Sequence, residues 1–570
     1  MHILKRHIKT YRLDIFFAVI SVMVMAGATL LQPRLLQEIL KAIMASDQDT
    51  VNQYGIALIA VACVGLIGGI LNTIFAARAA QGIAADLREE AYQKVQSFSL
   101  SNIEKFSTGH LVVRLTNDVW QVQSLIMMSL QSLARIPILF IGAFILAITT
   151  LPKLWWVMIL MIVCIILASQ ILFKRMGKYF GRVQKLIDRI NTIAKENLQG
   201  IRVVKSFNQE NNQQQKFDHD SDNLTQLNTT IGYLFSAMFP GFMLIANLAI
   251  TVAIYFVSLG VASHPQDLAA IPAFVTYLMQ VLFAIMIGGM ISTFASRGLV
   301  ALRRIGEVLQ TTPDLIDEDV NDMTIKGDIT FEDVSFQYPE SNDTTLKDIS
   351  FNIKPGEMVG IVGATGSGKT TLAQLIGRLY DPTHGNVLID QVNLKNISQE
   401  SLRRGISYVL QRAILFSGTI AENLRQGKQD ATLTEMQKAA DIAQASEFIN
   451  RYDDQFEHLI SERSANLSGG QKQRLSIARG VIGQPKILIL DDSTSALDAR
   501  SEKLVQDALA THLKDTTTIV IAEKISSVRH ADRILVLDNG RLVGNGPHET
   551  LLKESAVYRE IFETQRAKEI

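Results

Sequence analysis

At 570 residues the chain is too long for a single hydrophobic core, so its length predicts two or three structural units. Lys and Arg together number 55, and so do Asp and Glu, so no net charge would attract nucleic acid or an acidic partner. The hydrophobic fraction of 48% is high for a soluble protein, and long windows without charge occur only before about residue 300. The composition therefore predicts a membrane part followed by a soluble part.

Apolar windows in the first half have the length that a membrane-crossing helix needs. They lie near residues 15–36, 55–77, 132–150, 154–173, 232–258 and 271–296. Basic residues crowd the N-terminal segment and the connections 78–127 and 174–231, whereas the opposite connections contain only Lys153. Basic residues favour the cytoplasmic side, so both termini and the long connections are predicted to be cytoplasmic in a plasma membrane. The lipid bilayer is thus a predicted partner.

The two long connections keep a helical period, so the spanning helices are predicted to continue into the cytoplasm. Turning points are predicted at Phe106–His110 and at Phe207–Asn212. Each can be interpreted as a short helix that contacts the soluble domain or as a solvated polar loop tip. The first part is therefore predicted to be an all-α polytopic membrane domain of six long helices with cytoplasmic extensions.

Arg135 is the ionisable residue that comes nearest to the middle of a predicted span. Such a residue either reaches back to the membrane surface or faces a cavity. The otherwise apolar spans argue against an ion or proton relay and favour a lipophilic or amphiphilic cargo. A small amphiphilic molecule is therefore the predicted substrate of this membrane domain.

A helix-stopping sequence, Thr311–Asp314, follows the last span. From about residue 325, short β-rich runs such as 329–331 and 334–336 alternate with helical segments, which predicts an α/β domain. The predicted domains are a transmembrane domain over 1–310, a linker over 311–325 and a soluble domain over 326–570.

A glycine-rich stretch, residues 363–371, lies between the apolar run Met358–Val362 and a helical run. This is the pattern and setting of a P-loop, whose backbone N–H groups turn inward around phosphate oxygens. Lys369 would supply charge to the outer phosphates, and the Thr370 hydroxyl can hold Mg²⁺. The loop predicts ATP and Mg²⁺ as ligands, with Gly363, Ala364, Thr365, Gly366, Ser367, Gly368, Lys369, Thr370 and Thr371 as binding residues.

A second buried run, Ile487–Leu490, ends in Asp491 and Asp492. A strand that delivers a carboxylate beside a P-loop holds Mg²⁺ on the nucleotide, so Asp491 is a predicted metal ligand. Asp492 is predicted to face the attacking water. The soluble part is therefore predicted to be an α/β P-loop ATP-binding domain.

A short motif, Leu467–Gln471, precedes this acidic strand end. Together with the P-loop and the spans, it makes the whole chain resemble an ABC exporter half-transporter, with 326–570 as the nucleotide-binding domain. The resemblance implies that Tyr338 stacks on adenine, and that Gln411 senses Mg²⁺ and acts in catalysis. It also assigns nucleotide-contacting roles to Ser468, Gly469, Gly470, Gln471 and Asp498, the last in a loop that crosses to a partner domain.

Ser468 also predicts a helix N-cap that leaves backbone N–H groups free for a second phosphate. One domain cannot readily close both phosphate sites around the same nucleotide. In the family, each nucleotide lies between the P-loop of one subunit and the signature motif of the other, which in this chain is Leu467–Gln471. A second ABC half-transporter is therefore a predicted partner.

Two positions depart from the family pattern. Asp492 occupies the position at which an active member has glutamate. Glu523 occupies the position of the switch histidine, which in an active member donates a hydrogen bond to the γ-phosphate. An acid shortened by about 1.5 Å can misplace the water, and a glutamate repels a γ-phosphate to which histidine would donate. With Gln411, these are the predicted catalytic residues, and both departures predict slow hydrolysis at a site that still binds ATP.

This combination resembles the degenerate-site subunit of a bacterial heterodimeric multidrug exporter. The resemblance implies an ATP-hydrolysing translocase that exports drug-like or amphiphilic molecules and hydrolyses ATP mainly at the P-loop of its partner. The alternatives are an exporter of lipids or peptides, a slow homodimer, and a nucleotide-gated channel or regulatory subunit. A channel is expected to show rings of charge along its spans, and none is evident in the sequence.

Overall fold

A computed structural model describes residues 2–260, 267–315, 320, 322–339 and 341–569. These residues form two compact units. One unit consists of Met1–Gln96 and Gly109–Thr311, and the other consists of Ser97–Thr108 and Thr312–Ile570. Residues 316–319 and 321 of the predicted linker lie outside the described residues.

The first unit is helical throughout its described part. Its helices, together with α4 of the second unit, are α1 (His2–Thr10), α2 (Arg12–Met44), α3 (Gln48–Gln96), α4 (Leu100–Phe106), α5 (Thr108–Val113), α6 (Val119–Met128), α7 (Arg135–Thr150), α8 (Trp155–Gln199), α9 (Ile201–Ser206), α10 (Glu210–Gly260) and α11 (Asp267–Gln310). Two π-helical turns, Arg114–Asp118 and Ser129–Leu133, join α5 to α6 and α6 to α7.

The described helices confirm the predicted membrane domain. Six helical segments are long and apolar enough to cross a bilayer: Arg12–Met44, Gln48–Gln96, Thr108–Thr150, Pro152–Gln199, Glu210–Leu259 and Asp267–Gly288. With 49 residues, α3 reaches about 70 Å at 1.5 Å per residue, more than twice the hydrocarbon thickness of a membrane. The long helices therefore extend well beyond the bilayer, as the helical period of the connections predicted.

The proline in α2 shows how this unit satisfies its backbone. Pro33 has no N–H, so the carbonyl of Thr29 loses its partner within the helix. Gln280 Nε2 of α11 donates to that carbonyl at 3.3 Å, and the Tyr277 hydroxyl donates to the next carbonyl, of Leu30, at 2.9 Å. Because α11 supplies these hydrogen bonds, α2 continues through the proline.

The second unit is the predicted α/β domain. Its strands are β1 (Ile329–Phe336), β2 (Leu346–Ile353), β3 (Met358–Gly363), β4 (His384–Ile389), β5 (Val392–Asn393), β6 (Ile406–Val409), β7 (Gly418–Thr419), β8 (Leu459–Ile460), β9 (Ile487–Asp491), β10 (Thr517–Ile521), β11 (Arg533–Asp538) and β12 (Arg541–Gly546). Its helices after α4 are α12 (Lys369–Ile376), α13 (Gln399–Gly405), α14 (Ile420–Arg425), α15 (Leu433–Ile442), α16 (Ser446–Ile449), α17 (Gly469–Val481), α18 (Ala499–His512), α19 (His548–Glu554) and α20 (Ala556–Glu569).

The sheets decide where the loops of this unit meet. One sheet has the order β12-β11-β3-β10-β9-β6, another has the order β2-β1-β4-β5, and β7 pairs with β8. In the first sheet, β3, β10 and β9 are parallel, with Ile521 of β10 level with Ile361 and Asp491. Parallel strands end at the same edge of a sheet, so the residues that follow these three strands lie together.

Two details differ from the sequence predictions. The runs 329–331 and 334–336 form a single strand, β1, with a register shift where Asp333 takes a φ of +50°. Ser97–Thr108 lies in the second unit although the sequence assigned it to the transmembrane domain. The Ser101 hydroxyl and the Asn102 amide donate to the Asp314 carboxylate at 2.8 and 3.0 Å.

The first turning point is therefore a short helix that contacts the soluble domain. Ser99 and Asn102 form a capping box at the start of α4. The Tyr380 hydroxyl donates to Glu104 Oε2 of this helix at 2.7 Å. At the second turning point, the short helix α9 ends before Asn208, which takes a φ of +53°.

Candidate nucleotide-binding site

The P-loop lies between β3 and α12. Gly368 precedes α12 with a φ of +100°, and a Cβ at this position would lie 2.6 Å from Leu346 Cδ2, so the turn requires glycine. The free N–H groups at the start of α12 face the loop, and the helix dipole favours an anion there. This arrangement is suited to binding phosphate.

Lys369 reaches across the loop. Its Nζ donates to the backbone carbonyls of Gly363 at 2.9 Å and Ala364 at 3.0 Å. Burial lowers the pKa of Lys369, whereas the carboxylates of Glu523, Asp492 and Asp491 act in the opposite direction. The ammonium is therefore held in place by weak neutral acceptors and surrounded by negative charge.

Ser367 provides a test of whether the loop fits a phosphate. Its side chain is 3% exposed, and its Oγ has no hydrogen-bond partner among the described residues. A buried hydroxyl of this kind needs an acceptor. Gly366 next to it takes a φ of +85° and has open space at its Cβ position. The loop thus offers an unsatisfied hydroxyl beside an open face, which fits phosphate oxygens.

Thr370 and Asp491 bring two oxygen ligands together. The Thr370 hydroxyl donates to Asp491 Oδ1 at 3.1 Å, and the Tyr408 hydroxyl donates to Asp491 Oδ2 at 2.9 Å. Burial raises the pKa of Asp491, while the two hydrogen bonds act to lower it. A hydroxyl and a carboxylate are ligands that Mg²⁺ prefers, so these two residues fit the predicted metal position.

Asp492 follows β9 in a constrained turn. It takes a φ of +44°, and its N–H donates to the carbonyl of Ile521 at 2.9 Å. Gln411 Nε2 donates to Asp492 Oδ2 at 3.2 Å, so the structure brings two predicted catalytic residues together. Burial raises the pKa of Asp492, the hydrogen bond from Gln411 lowers it, and the charge of Glu523 raises it further.

Glu523 lies two residues beyond β10, at the same edge of the sheet. Its carbonyl accepts from Gln565 Nε2 at 2.7 Å, and Gln565 Oε1 accepts from the N–H of Ile525 at 2.8 Å. A single side chain of α20 therefore braces both sides of the turn that carries Glu523. Three carboxylates, those of Asp491, Asp492 and Glu523, share the neighbourhood of Lys369.

Tyr338 lies beside the loop with its hydroxyl engaged by α12. The hydroxyl shares a hydrogen bond with Thr371 Oγ1 at 3.0 Å and donates to Gln374 Oε1 at 3.0 Å. Its ring meets those of Phe336 and Tyr380 edge to face, with centroids 4.9 and 5.4 Å apart. The structure thus fixes Tyr338 next to the phosphate loop, and its stacking on adenine stays a prediction.

Ser468 begins α17 as the predicted N-cap. Its Oγ accepts from the N–H of Gln471 at 3.3 Å, and Gln471 Oε1 accepts from the N–H of Ser468 at 2.8 Å. Among the described residues, no hydrogen bond joins 468–471 to 363–371.

Asp498 caps a helix of its own chain. Its carboxylate accepts from the N–H of Ser501 at 2.9 Å and from the Ser501 hydroxyl at 2.7 Å, at the start of α18. The preceding loop lies against α17, where Gln473 Oε1 accepts from the N–H of Ala496 at 3.0 Å. The predicted contact of Asp498 with nucleotide across a dimer stays a prediction.

Two contributors to the site were not predicted from the sequence. Tyr408 holds Asp491, and Gln565 holds the turn at Glu523. In the sequence, nothing distinguishes Tyr408 from other aromatic residues in strands. It contacts Asp491 because β6 pairs with β9. Gln565 is far along the chain from the P-loop, and no local motif marks it.

The fold and the site together define a multi-pass membrane protein with a P-loop nucleotide-binding domain. Comparison with family models gives the same division of the chain. The model of the ABC transporter transmembrane region matches residues 15–286, and the ABC transporter model matches residues 346–495.

Similar proteins extend over nearly the whole chain. The uncharacterized ABC transporter ATP-binding protein YfiB of Bacillus subtilis is 37% identical over 563 residues, which cover 99% of this chain and 98% of YfiB. YgaD of the same organism, whose name assigns it provisionally to multidrug export, is 32% identical and covers 99% of this chain and 100% of YgaD.

Among solved structures, a bacterial Atm1-family ABC exporter with ATP bound is similar, with a TM-score of 0.79 and 25% sequence identity. The match covers 97% of this chain and 98% of that one. The chain belongs to the ABC transporter family, as a half-transporter of the exporter type that carries a membrane region and an ATP-hydrolysing domain in one polypeptide.

Proposed function

We propose that the chain is one half of a heterodimeric exporter in the bacterial plasma membrane and that its own P-loop holds ATP but hydrolyses it slowly. The cargo is a drug-like or amphiphilic molecule. Hydrolysis takes place mainly at the P-loop of the partner, where Ser468, Gly469 and Gly470 of this chain complete the site. The provisional multidrug assignment of YgaD supports the export of such molecules.

The observation that carries the proposal is the group of carboxylates around Lys369. The charge of Glu523 acts on both Lys369 and Asp492, so we infer that its carboxylate lies near the outer phosphate of a bound nucleotide. A carboxylate there repels the phosphate and cannot donate a hydrogen bond to it. Asp492, one methylene shorter than glutamate, accepts a hydrogen bond from Gln411 Nε2 at 3.2 Å. Neither residue is suited to activating water.

The parts that hold a nucleotide are complete. Lys369 Nζ lies within the loop and can supply a positive charge for the phosphates. The Thr370 hydroxyl donates to Asp491 Oδ1 at 3.1 Å, so two oxygen ligands for Mg²⁺ lie side by side. The capped turn at Ser468 is also intact, with both reciprocal hydrogen bonds formed. These features support a chain that binds a nucleotide and completes the site of its partner although its own hydrolysis is impaired.

The helix α4 links this site to transport. Glu104 accepts from Tyr380 at 2.7 Å, and the Tyr380 ring meets that of Tyr338, which in turn bonds to Thr371 of the P-loop. In the sequence, α4 joins the second spanning helix to the third. Movement at the nucleotide site can thus be transmitted to the membrane helices, as a two-state export cycle requires.

The experiment that tests the proposal begins with the tagged full-length chain purified from its native membrane. Native mass spectrometry is expected to show a 1:1 complex with a second half-transporter that has glutamate and histidine at the positions of Asp492 and Glu523. The reconstituted complex should accumulate a fluorescent amphiphile with ATP and not with a non-hydrolysable analogue. A complex of two copies of this chain would overturn the heterodimer, and flux that continues with the analogue would show a channel.

A further inference from the structure

Arg135 is a charged residue inside the third apolar helical segment, Thr108–Thr150. It is the first residue of α7 and follows the π-helical turn Ser129–Leu133. Such turns insert a residue into the helix, change the direction of the side chains that follow, and occur frequently at functional sites. The neighbouring residue, Ile136, lies 3.9 Å from the Cβ position of Gly288 on α11, so Arg135 is close to the seam between two spanning helices.

Contacts with α2 fix the depth of Arg135. Asn72 Nδ2 of α3 donates to the carbonyls of Ala18 at 2.8 Å and Leu130 at 3.3 Å, so these residues lie at one level. Further along, a Cβ on Gly142 of α7 would lie 2.3 Å from Leu30 Cδ1, which defines a second level. Arg135 lies between the two levels, about 7 Å beyond Leu130 at 1.5 Å per residue.

Both levels fall within the apolar stretch of α2. On α2, the apolar stretch runs from Asp14 to Arg34, and Ala18 and Leu30 are near its two ends. A residue between them is therefore near the middle of the bilayer. The apolar window 132–150 had placed Arg135 close to the edge of a span, and the packing of the helices places it deeper.

The guanidinium of Arg135 has one buried donor, Nε, that is not satisfied within the described part of the chain. The side chain is half-buried, and its Nε is enclosed by protein without a hydrogen-bond acceptor in the described part of the chain. Charged groups at membrane depth are normally paired or face a cavity, because an unpaired charge there is costly. An enclosed donor of this kind requires an acceptor. Exposed apolar side chains, those of Leu133 and Ile141, lie on the same helical stretch.

We propose that Arg135 binds the anionic head group of an amphiphilic cargo, whose apolar part lies against the surrounding side chains. This inference rests on the proposed export function and specifies the class of cargo. A guanidinium forms planar, bidentate hydrogen bonds with a carboxylate, phosphate or sulfonate, and these are strongest where water is excluded. The cargo is therefore an anionic amphiphile rather than a cationic one.

The test uses the full-length chain in its native assembly, reconstituted in phosphatidylcholine vesicles. The probes are dansyl-labelled dodecanoate, its methyl ester and a dansyl-labelled dodecylamine, which share an apolar body and differ in charge. Equilibrium binding is followed by dansyl fluorescence without ATP, and uptake is followed separately with ATP. The variants are Arg135→Gln and Arg135→Lys, with Lys153→Gln as the control because Lys153 is an exposed cation outside the third apolar segment.

The expected result is selective. Arg135→Gln weakens binding of the carboxylate probe at least about tenfold and leaves binding of the ester unchanged, since a charge-assisted pair is lost. Arg135→Lys keeps most of the affinity, and Lys153→Gln keeps all of it. Added phosphatidylglycerol that displaces the carboxylate probe would identify a lipid as a source of the anion, consistent with the same chemistry.

Other outcomes overturn the inference. Equal losses of affinity for all three probes in Arg135→Gln, or no loss for the carboxylate probe, would show that Arg135 does not select the cargo by its charge. Loss of the assembled complex with both Arg135 variants would show that Arg135 pairs with protein, such as an acid of the partner subunit. If the ester is still taken up normally with ATP in these cases, the proposed export function is supported and only the role of Arg135 is rejected. Selective binding without ATP-driven uptake would instead overturn the export function and support the site.

Discussion

The P-loop pocket and the start of α17 belong to the same α/β unit, but the proposed function gives them different roles in ATP hydrolysis. In the pocket, Lys369, Thr370 and Asp491 form a phosphate and metal site, while Asp492 and Glu523 crowd it with negative charge. At the start of α17, both hydrogen bonds of the capping box between Ser468 and Gln471 are formed. In the proposed function, this chain has lost hydrolysis at its own nucleotide and still completes the site of a nucleotide that the partner holds.

The strongest test of this contrast is Gly470→Ala. In the free chain the added Cβ would lie 3.4 Å from the Ala496 carbonyl and 3.8 Å from Leu497 Cδ2, which are ordinary contacts. Alanine in a helix stabilises it by up to about 1 kcal/mol relative to glycine, so the fold should be kept. ATP turnover of the native assembly should fall about tenfold to a hundredfold, because the methyl group keeps a phosphate away from the N–H groups.

The matched control for this variant is Gly55→Ala, where nothing lies within 4 Å of the added Cβ. It should change neither thermal stability nor turnover appreciably. If Gly470→Ala hydrolyses ATP at the rate of the unchanged protein, the start of α17 does not meet a nucleotide. The assigned role of Ser468, Gly469 and Gly470 would then be wrong.

A smaller effect concerns charge and pH. Burial raises the pKa of Asp492 above its ordinary value, so its ionisation disfavours the folded state increasingly as the pH rises through that folded pKa. Asp492→Asn should therefore raise the melting temperature of the nucleotide-free full chain at pH 7 by about 1–2 °C, given partial solvent screening. The gain should shrink as the pH falls and vanish below about 4.

Replacement of Asp498 should change the melting temperature in the opposite direction. A hydrogen bond from the Ser501 backbone lowers the pKa of Asp498, so its contribution is present at neutral pH and is lost as the pH falls through the folded pKa. Asp498→Ala should lower the melting temperature at pH 7, and the difference should narrow in acid. Equal changes in melting temperature for the two variants would mean that burial does not destabilise the ionised form of Asp492.

Local patterns predicted a large part of this protein from its sequence. The spans follow from length and composition, and the turn before Lys369 follows from glycines between a strand and a helix. The N-cap at Ser468 is likewise a short-range pattern, since the two capping partners are three residues apart. These features need no knowledge of which elements are neighbours.

Features that depend on tertiary neighbours escaped prediction. Tyr408 reaches Asp491 because β6 lies next to β9, and Gln565 reaches the Glu523 turn because α20 folds back onto it. The position of α4 in the second unit rests on contacts such as that of Glu104 with Tyr380, which are distant in sequence. The depth of Arg135 followed from the packing of α2 and α3 and not from its hydropathy window.

The measurement that tests the central claim most directly isolates the P-loop site of this chain. In the native assembly, the catalytic acid of the partner is replaced by its amide, and ATP turnover is measured with and without Asp492→Glu combined with Glu523→His. Turnover is expected to be very low before the repair and to rise at least about tenfold after it, and Lys369→Ala should abolish this rise. Turnover close to that of the intact complex before the repair, or no rise after it, would show that Asp492 and Glu523 do not limit hydrolysis at this site.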